Sequence, residues 1–75
     1  MDEFLNDKLL LLSFGERLRA LREFHGMSQR DLANAARIGR TTIAGYENGR
    51  NEPGLTNLHR LTAALGVSLD TLVGW

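Results

Sequence analysis

The sequence predicts an all-α fold, a compact bundle of five short helices that contains a helix-turn-helix. Signals for helix starts recur along the chain, apolar residues follow each of them at helical spacing, and no segment alternates as a β-strand does. At 75 residues the chain has room for one small hydrophobic core. We therefore expect a single domain over residues 14–75, with residues 1–13 as an N-terminal extension.

The first helix is predicted over residues 14–25. Ser13 and Glu16 have the spacing of a capping box, and Gly26 occupies the position where a glycine commonly ends a helix. An apolar stripe lies between these signals, made of Phe14, Leu18, Leu21 and Phe24.

The second helix is predicted to be only two turns long. Ser28 is its candidate N-cap, Asp31 follows three residues later, and small and apolar residues continue to about Ala36.

The third helix follows after a very short turn. Gly39 takes the N-cap position, and Ile38 before it can pack against Ile43 as a hydrophobic staple. Ile43 and Tyr46 are the only large apolar residues before the Asn-Gly stop at 48–49. One narrow face should therefore be buried, which leaves the opposite face available for a ligand.

Two further helices complete the prediction. The fourth carries Leu55, Leu58, Leu61, Thr62 and Leu65 and stops at Gly66. The fifth begins after Ser68 and reaches Val73. Two eight-residue helices joined by a three-residue turn, with others around them, form the helix-turn-helix arrangement.

The distribution of charge indicates where an anion would bind. Net charge is zero, yet residues 14–50 carry seven arginines against four acidic residues. Because the planar guanidinium group suits phosphates and guanine edges, this middle segment is the candidate surface for nucleic acid.

The middle of the chain resembles the Cro/C1-type helix-turn-helix family of phage repressors and bacterial regulators, whose members have a lambda-repressor-like fold. The resemblance runs from about Gly15 to Leu72 and rests on the elements S-Q-x-x-L-A, T-x-I, E-N-G and A-L-G-V-S at these spacings. It implies five helices, with the third entering the major groove of double-stranded DNA.

Arg40, Thr41, Ala44 and Gly45 match the base-reading positions of the family and lie opposite the apolar face of the predicted third helix. Arg40 can donate to guanine O6 and N7, and Thr41 can contact a base through its hydroxyl or methyl group. Ala44 offers only apolar contact, and Gly45 offers no side-chain contact. These small residues would either let the helix approach the DNA closely or leave the facing base pairs to be recognised through DNA shape, that is, by indirect readout.

Residues flanking the third helix are predicted to contact phosphates. They are Gln29, Thr42, Asn48, Arg50 and Asn57, of which Gln29 matches the backbone-contacting glutamine of the family. Arg22 and Glu47 match a family ion pair between the first helix and the end of the third, and they are assigned a structural role.

Three features depart from the family pattern. Arg37 stands where a glycine is usual in the turn, which would cost about 1 kcal/mol if that residue is left-handed. Gly39 replaces the usual serine or threonine cap. Zero net charge predicts weaker nonspecific binding to DNA.

These observations predict a cytoplasmic transcriptional regulator, most simply a repressor that binds a palindromic operator as a homodimer. The dimer contact is expected either from Phe4, Leu5 and 9–12 in the N-terminal extension or from residues 73–75. An antitoxin or anti-regulator that mainly binds a protein partner is the alternative, and an adaptor that has lost DNA binding is a second.

Other chemistry is not expected. The sequence has no cysteine, and His25 and His59 do not form a metal-ligand pair, so we predict no metal, no cofactor and no enzymatic activity. The longest apolar run is far too short for a membrane-spanning helix, so no membrane association is predicted.

Overall fold

The structure is a computed structural model that describes residues 12–74. Its helices are α1 (Phe14–Phe24), α2 (Gln29–Ala36), α3 (Arg40–Glu47), α4 (Leu55–Leu65) and α5 (Leu69–Val73). Residues 12–74 contain no β-strand, which confirms the prediction of an all-α, five-helix fold. None of these helices has the combination of length and apolar character needed to cross a bilayer. The dimer contacts predicted at residues 4–5 and 9–11 and at Trp75 lie outside the described residues.

The first two helices begin at reciprocal capping boxes, as predicted. The backbone N–H of Glu16 donates to the Ser13 hydroxyl at 3.3 Å, and the backbone N–H of Ser13 donates to the Glu16 carboxylate at 3.1 Å. Ser28 and Asp31 make the same pair of bonds at 3.0 and 2.9 Å. Each box satisfies N–H groups that the first turn would otherwise leave unpaired.

The five helices and the α2–α3 turn all contribute to one core. Its members are Leu18, Leu21, Leu32, Ala33, Ala36, Ile38, Ile43, Tyr46, Leu61, Leu65 and Leu72. α3 packs against both α1 and α2, while α4 packs against α2 and α5. α3 is thus held from two sides, which sets the direction in which it can present its remaining surface.

Two residues of the predicted apolar stripes are not buried. Phe24 is 59% exposed and Leu55 is 82% exposed. At 100° per residue, Phe24 lies about 120° around α1 from the fully buried Leu18, and Leu55 lies about 120° around α4 from Leu61. The stripe predictions were therefore wrong at these two residues, which lie to one side of the buried face.

A buried arginine ties the two ends of the described chain together. Arg17 donates from Nη1 to the Leu72 carbonyl at 3.3 Å and from Nη2 to the Leu12 carbonyl at 2.6 Å. Gly74 lies directly against the same guanidinium, because a Cβ there would come within 2.6 Å of Nη2. α5 is consequently fixed to α1 by polar as well as apolar contacts.

Candidate nucleic-acid interface

The turn before α3 is short and carries backbone strain. Arg37 adopts φ 57° and ψ 43°, and it is the only residue other than glycine with positive φ between 12 and 74. The left-handed conformation costs an arginine about 1 kcal/mol relative to glycine. Gly39 then occupies the N-cap without a side-chain hydrogen bond. Both departures from the family pattern therefore weaken the start of α3.

The first turn of α3 is open to solvent. Arg40 and Thr41 are exposed, whereas Thr42 and Ala44 are half-buried. Their exposure gives this turn a guanidinium and a hydroxyl that can donate hydrogen bonds to a polar surface. Two of the four residues predicted to read bases thus present polar groups outward.

Gly45 does not lie on an open surface, although it shares a helical face with Thr41 and Asn48. It is buried, and a Cβ added to it would lie 2.6 Å from Nδ2 of Asn51. Gly45 therefore lies on the outward face of α3 but is covered, so it offers no open surface of its own. Asn51 covers this position instead, because the glycine leaves room for its carboxamide.

The opposite end of α3 is anchored by the predicted ion pair. Arg22 donates from Nε and Nη2 to the two carboxylate oxygens of Glu47 at 2.7 and 3.0 Å. Only 10% of the Arg22 side chain and 3% of the Glu47 side chain are exposed. Hydrogen bonding to Glu47 raises the pKa of the Arg22 guanidinium above its ordinary value. The prediction of a structural pair between α1 and α3 is confirmed.

A second contact, which the sequence prediction missed, brings α1 against the same end of α3. A Cβ added to Gly15 would lie 2.5 Å from the Tyr46 carbonyl oxygen and 2.6 Å from that of Glu47. Only glycine permits this approach. The available signal was a glycine within the first turn of a helix, where helix propensity disfavours it.

A cleft of about 430 Å³ lies where the starts of α2 and α3 meet. Its lining residues are Arg22, Ser28, Gln29, Arg30 and Arg40. Glu47 balances the charge of Arg22, whereas Arg30 and Arg40 form no ion pair within residues 12–74. Together with the positive end of the α2 dipole, these two charges favour an anion. The cleft brings together two residues that were predicted to contact DNA, Gln29 and Arg40.

Gln29 also has a partner within the protein. Its Nε2 donates to Glu47 Oε1 at 3.2 Å, which links the start of α2 to the anchored end of α3. One amide hydrogen is used in this bond, and the other can still donate outward.

Three further predicted phosphate contacts lie after α3, whereas Thr42 lies within the helix and is half-buried. Asn48 and Arg50 are exposed beside the left-handed Gly49. Asn57 has a different environment, since its Nδ2 donates to the Tyr46 hydroxyl at 2.8 Å. The structure gives Asn57 a packing role, while Asn48 and Arg50 present their side chains to solvent.

Comparison with known proteins identifies the family. The helix-turn-helix family model matches residues 18–72, which include every residue of α2, α3 and α4. The chain belongs to the Cro/C1-type helix-turn-helix family. The resemblance seen in the sequence is thereby confirmed.

The relatives within this family are regulators. The chain is 43% identical over 60 residues to YonR of Bacillus subtilis, a prophage-derived, uncharacterized transcriptional regulator, covering 80% of this chain and 56% of that protein. It is 32% identical over 63 residues to the immunity repressor of Bacillus phage phi105, covering 84% of this chain and 44% of the repressor. The chain thus spans about half the length of these relatives. For the control protein C.MunI of a Mycoplasma species, identity is 35%, with 91% of this chain and 90% of that protein covered.

Solved structures in the family are also similar. The restriction-modification controller C.AhdI of Aeromonas hydrophila matches with a TM-score of 0.78 and 35% identity, covering 88% of this chain and 97% of the controller. The P22 c2 repressor, solved in complex with a synthetic operator, matches with a TM-score of 0.79 and 32% identity, covering 85% of this chain and 98% of the repressor. The helix-turn-helix geometry described above is therefore that of known family members.

Proposed function

We propose that this protein is a sequence-specific, double-stranded DNA-binding transcriptional regulator that acts as a repressor. The observation that carries the proposal is the exposed first turn of α3, which presents Arg40 and Thr41 while its other end is buried. A helix held in this way can enter a major groove with its N-terminal residues against base edges. The likeness to a repressor whose structure contains an operator supports the same conclusion.

Base readout is assigned first to Arg40. Its guanidinium can donate two hydrogen bonds to O6 and N7 of a guanine, and such a pair discriminates against other bases by about 1–3 kcal/mol. Thr41 contributes a hydroxyl or a methyl contact. Ala44, half-buried beside them, offers only apolar contact with a thymine methyl group.

Phosphate contacts are assigned to the two flanks of α3. Gln29 with the free N–H groups at the start of α2 binds one phosphate, and Asn48, Arg50 and Thr42 bind others. These contacts set the register of the protein on DNA and carry little sequence information. Asn57 makes at most a minor contribution, because its amide is bound to Tyr46.

The regulator is proposed to bind as a homodimer to an inverted repeat in the cytoplasm. One small module makes too few contacts for the affinities that regulators reach, and two modules on half-sites about one helical turn apart supply them. The protein needs no cofactor or catalytic step for this action, because occupying the operator is sufficient to block or recruit RNA polymerase.

Selection of binding sites from a random duplex pool at low salt tests this function. Wild type should enrich an inverted repeat with a guanine in each half-site, and Arg40→Ala should lose that guanine preference. Arg19→Ala is the matched control, since it removes the same charge from an exposed position on α1 and should leave the preference unchanged.

A different outcome of the selection would contradict the proposed function. If no sequence is enriched, and residual binding is the same for wild type and Arg40→Ala, the DNA-reading function fails. Salt-insensitive capture of a protein partner would then favour the antitoxin or anti-regulator alternative.

A further inference from the structure

The surface of α3 has a gap where a helical side chain would normally stand. Residues 41, 45 and 48 recur at the spacing of one helical face, yet position 45 is a glycine. The face that carries Thr41 and Asn48 therefore has no side chain of its own in the middle.

The chain after α3 returns over this gap. Gly49 has φ +78°, and the backbone N–H groups of Arg50 and Asn51 both donate to the Gly45 carbonyl, at 2.9 and 3.4 Å. These bonds bring residue 51 back alongside the helix, six positions after the glycine that it covers. The placement is thus built by backbone hydrogen bonds.

The Asn51 side chain occupies the space left by Gly45. Its Nδ2 and Cγ lie 2.6 and 3.5 Å from the position of a Cβ on Gly45. Asn51 is nevertheless exposed overall, and its carboxamide makes no hydrogen bond to any residue in the range 12–74. The donor and the acceptor of this carboxamide consequently have no partner among the described residues, and the side chain that carries them lies over the outer face of α3.

We propose that Asn51 is a specificity-determining residue that reads an adenine in the major groove, from the place where residue 45 has no side chain. This inference rests on the proposed function, because it requires α3 to lie in the groove. A carboxamide presents one donor and one acceptor side by side, which match N7 and the N6 amino group of adenine. Arg40 and Asn51 then read two different positions of each half-site.

The test uses the site that wild type selects and measures affinities for that duplex and for its single-base variants. Asn51→Ala should reduce the preference for adenine at one position of each half-site by about 5-fold to 150-fold. The guanine preference assigned to Arg40 should remain. Asn51 is an exposed loop residue, and equal urea midpoints for the variant and wild type will verify that its fold is intact.

Gly45→Ala provides an independent variant. The new methyl group would displace the end of the Asn51 side chain, since only 2.6 Å separates the Cβ position from Nδ2. Alanine also favours a helix over glycine, so the variant should be at least as stable as wild type. We expect the same loss of adenine preference, and no further loss in the double variant with Asn51→Ala.

Four results would overturn the inference. If Asn51→Ala weakens binding to all duplexes equally, Asn51 contacts a phosphate and does not read a base. An unchanged profile would remove it from the interface, and loss of preference for a base other than adenine would refute the assigned pairing. Survival of the adenine preference in Gly45→Ala would refute the placement. If wild type selects no site at all, the proposed DNA-binding function itself fails. If wild type selects a site but the Asn51 variant behaves as described above, only the role of Asn51 fails.

Discussion

The two ends of α3 differ in what surrounds them. At the first turn Arg40 and Thr41 are exposed, and the preceding residues, Arg37 and Gly39, start the helix weakly. At the last turn the side chain of Glu47 is almost completely buried and bound to Arg22. The N-terminal end of α3 has no side-chain cap, whereas its C-terminal end is held by contacts with neighbouring helices.

This difference separates stability from recognition along a single eight-residue helix. Residues at the anchored end should change the free energy of unfolding when they are substituted, because their contacts join separate helices. Residues at the open end should change binding alone.

Glu47→Ala should cause the largest loss of stability. It leaves the guanidinium of Arg22 buried without a counter-charge, and breaking a buried pair in this way costs about 3–5 kcal/mol. Urea unfolding followed by circular dichroism measures the change. The matched control is Glu23→Ala, which breaks the exposed pair with Arg19 and should cost less than about 1 kcal/mol. Equal losses in the two variants would refute the anchoring role of Glu47.

Gly15→Ala should be the next most damaging change. A methyl group at this position meets the backbone carbonyls of Tyr46 and Glu47, which cannot rotate aside, so we expect a loss of about 1–3 kcal/mol. Helix propensity alone predicts the opposite sign, since alanine is the better helix former. A variant as stable as wild type or more stable would therefore contradict the close approach of α1 to α3.

Arg37→Gly should raise stability and strengthen the weak end of α3. Glycine adopts the left-handed conformation without the steric penalty that arginine incurs, and the expected gain is about 0.5–1 kcal/mol. Ala35→Gly, two residues earlier within α2, is the control and should lose about 1 kcal/mol. A loss in Arg37→Gly, measured by thermal unfolding, would show that the strain at residue 37 is offset by contacts of its side chain.

Acid should weaken the two helices that hold α3. The hydrogen bonds from the backbone and hydroxyl of Ser13 lower the pKa of Glu16, and those of Ser28 lower the pKa of Asp31. Because these pKa values are lower in the folded state, the caps stabilise the protein fully above the ordinary carboxyl pKa. This contribution is lost as the pH falls through the lowered values.

The pH effect is measured by urea unfolding at pH 7 and at about pH 3, where exposed carboxylates become protonated. The double variant Glu16→Gln, Asp31→Asn should lose less stability than wild type over this interval, since its caps do not titrate. Identical losses in both proteins would assign the acid sensitivity to other groups.

Local features of this fold could be predicted from the sequence, whereas contacts between residues far apart in the chain could not. Helix starts at Ser13 and Ser28 were predictable because cap and partner lie three residues apart. Contact between Gly15 and the carbonyls of α3 spans about thirty positions, and its one local signal is a glycine in the first turn of α1. Phe24 fits an apolar stripe but is exposed, about 120° around α1 from the fully buried Leu18.

The same distinction applies within the candidate site. Arg40 and Thr41 could be placed on the open face from helical periodicity, and the Arg22–Glu47 pair from the family resemblance. The burial of Gly45 was not predicted, because it depends on the path of the chain after α3. Asn51 was missed for the same reason, since its position depends on the hydrogen bonds that bring residues 50 and 51 back to the Gly45 carbonyl.

The most direct test of the central claim is the affinity of Arg40→Ala for the selected duplex, measured beside its urea unfolding curve. We expect stability within about 0.5 kcal/mol of wild type, as for an exposed substitution, and an affinity about 5-fold to 150-fold lower. An unchanged affinity would contradict the assignment of the open end of α3 to DNA recognition. A comparable loss of stability would contradict the separation of the two ends.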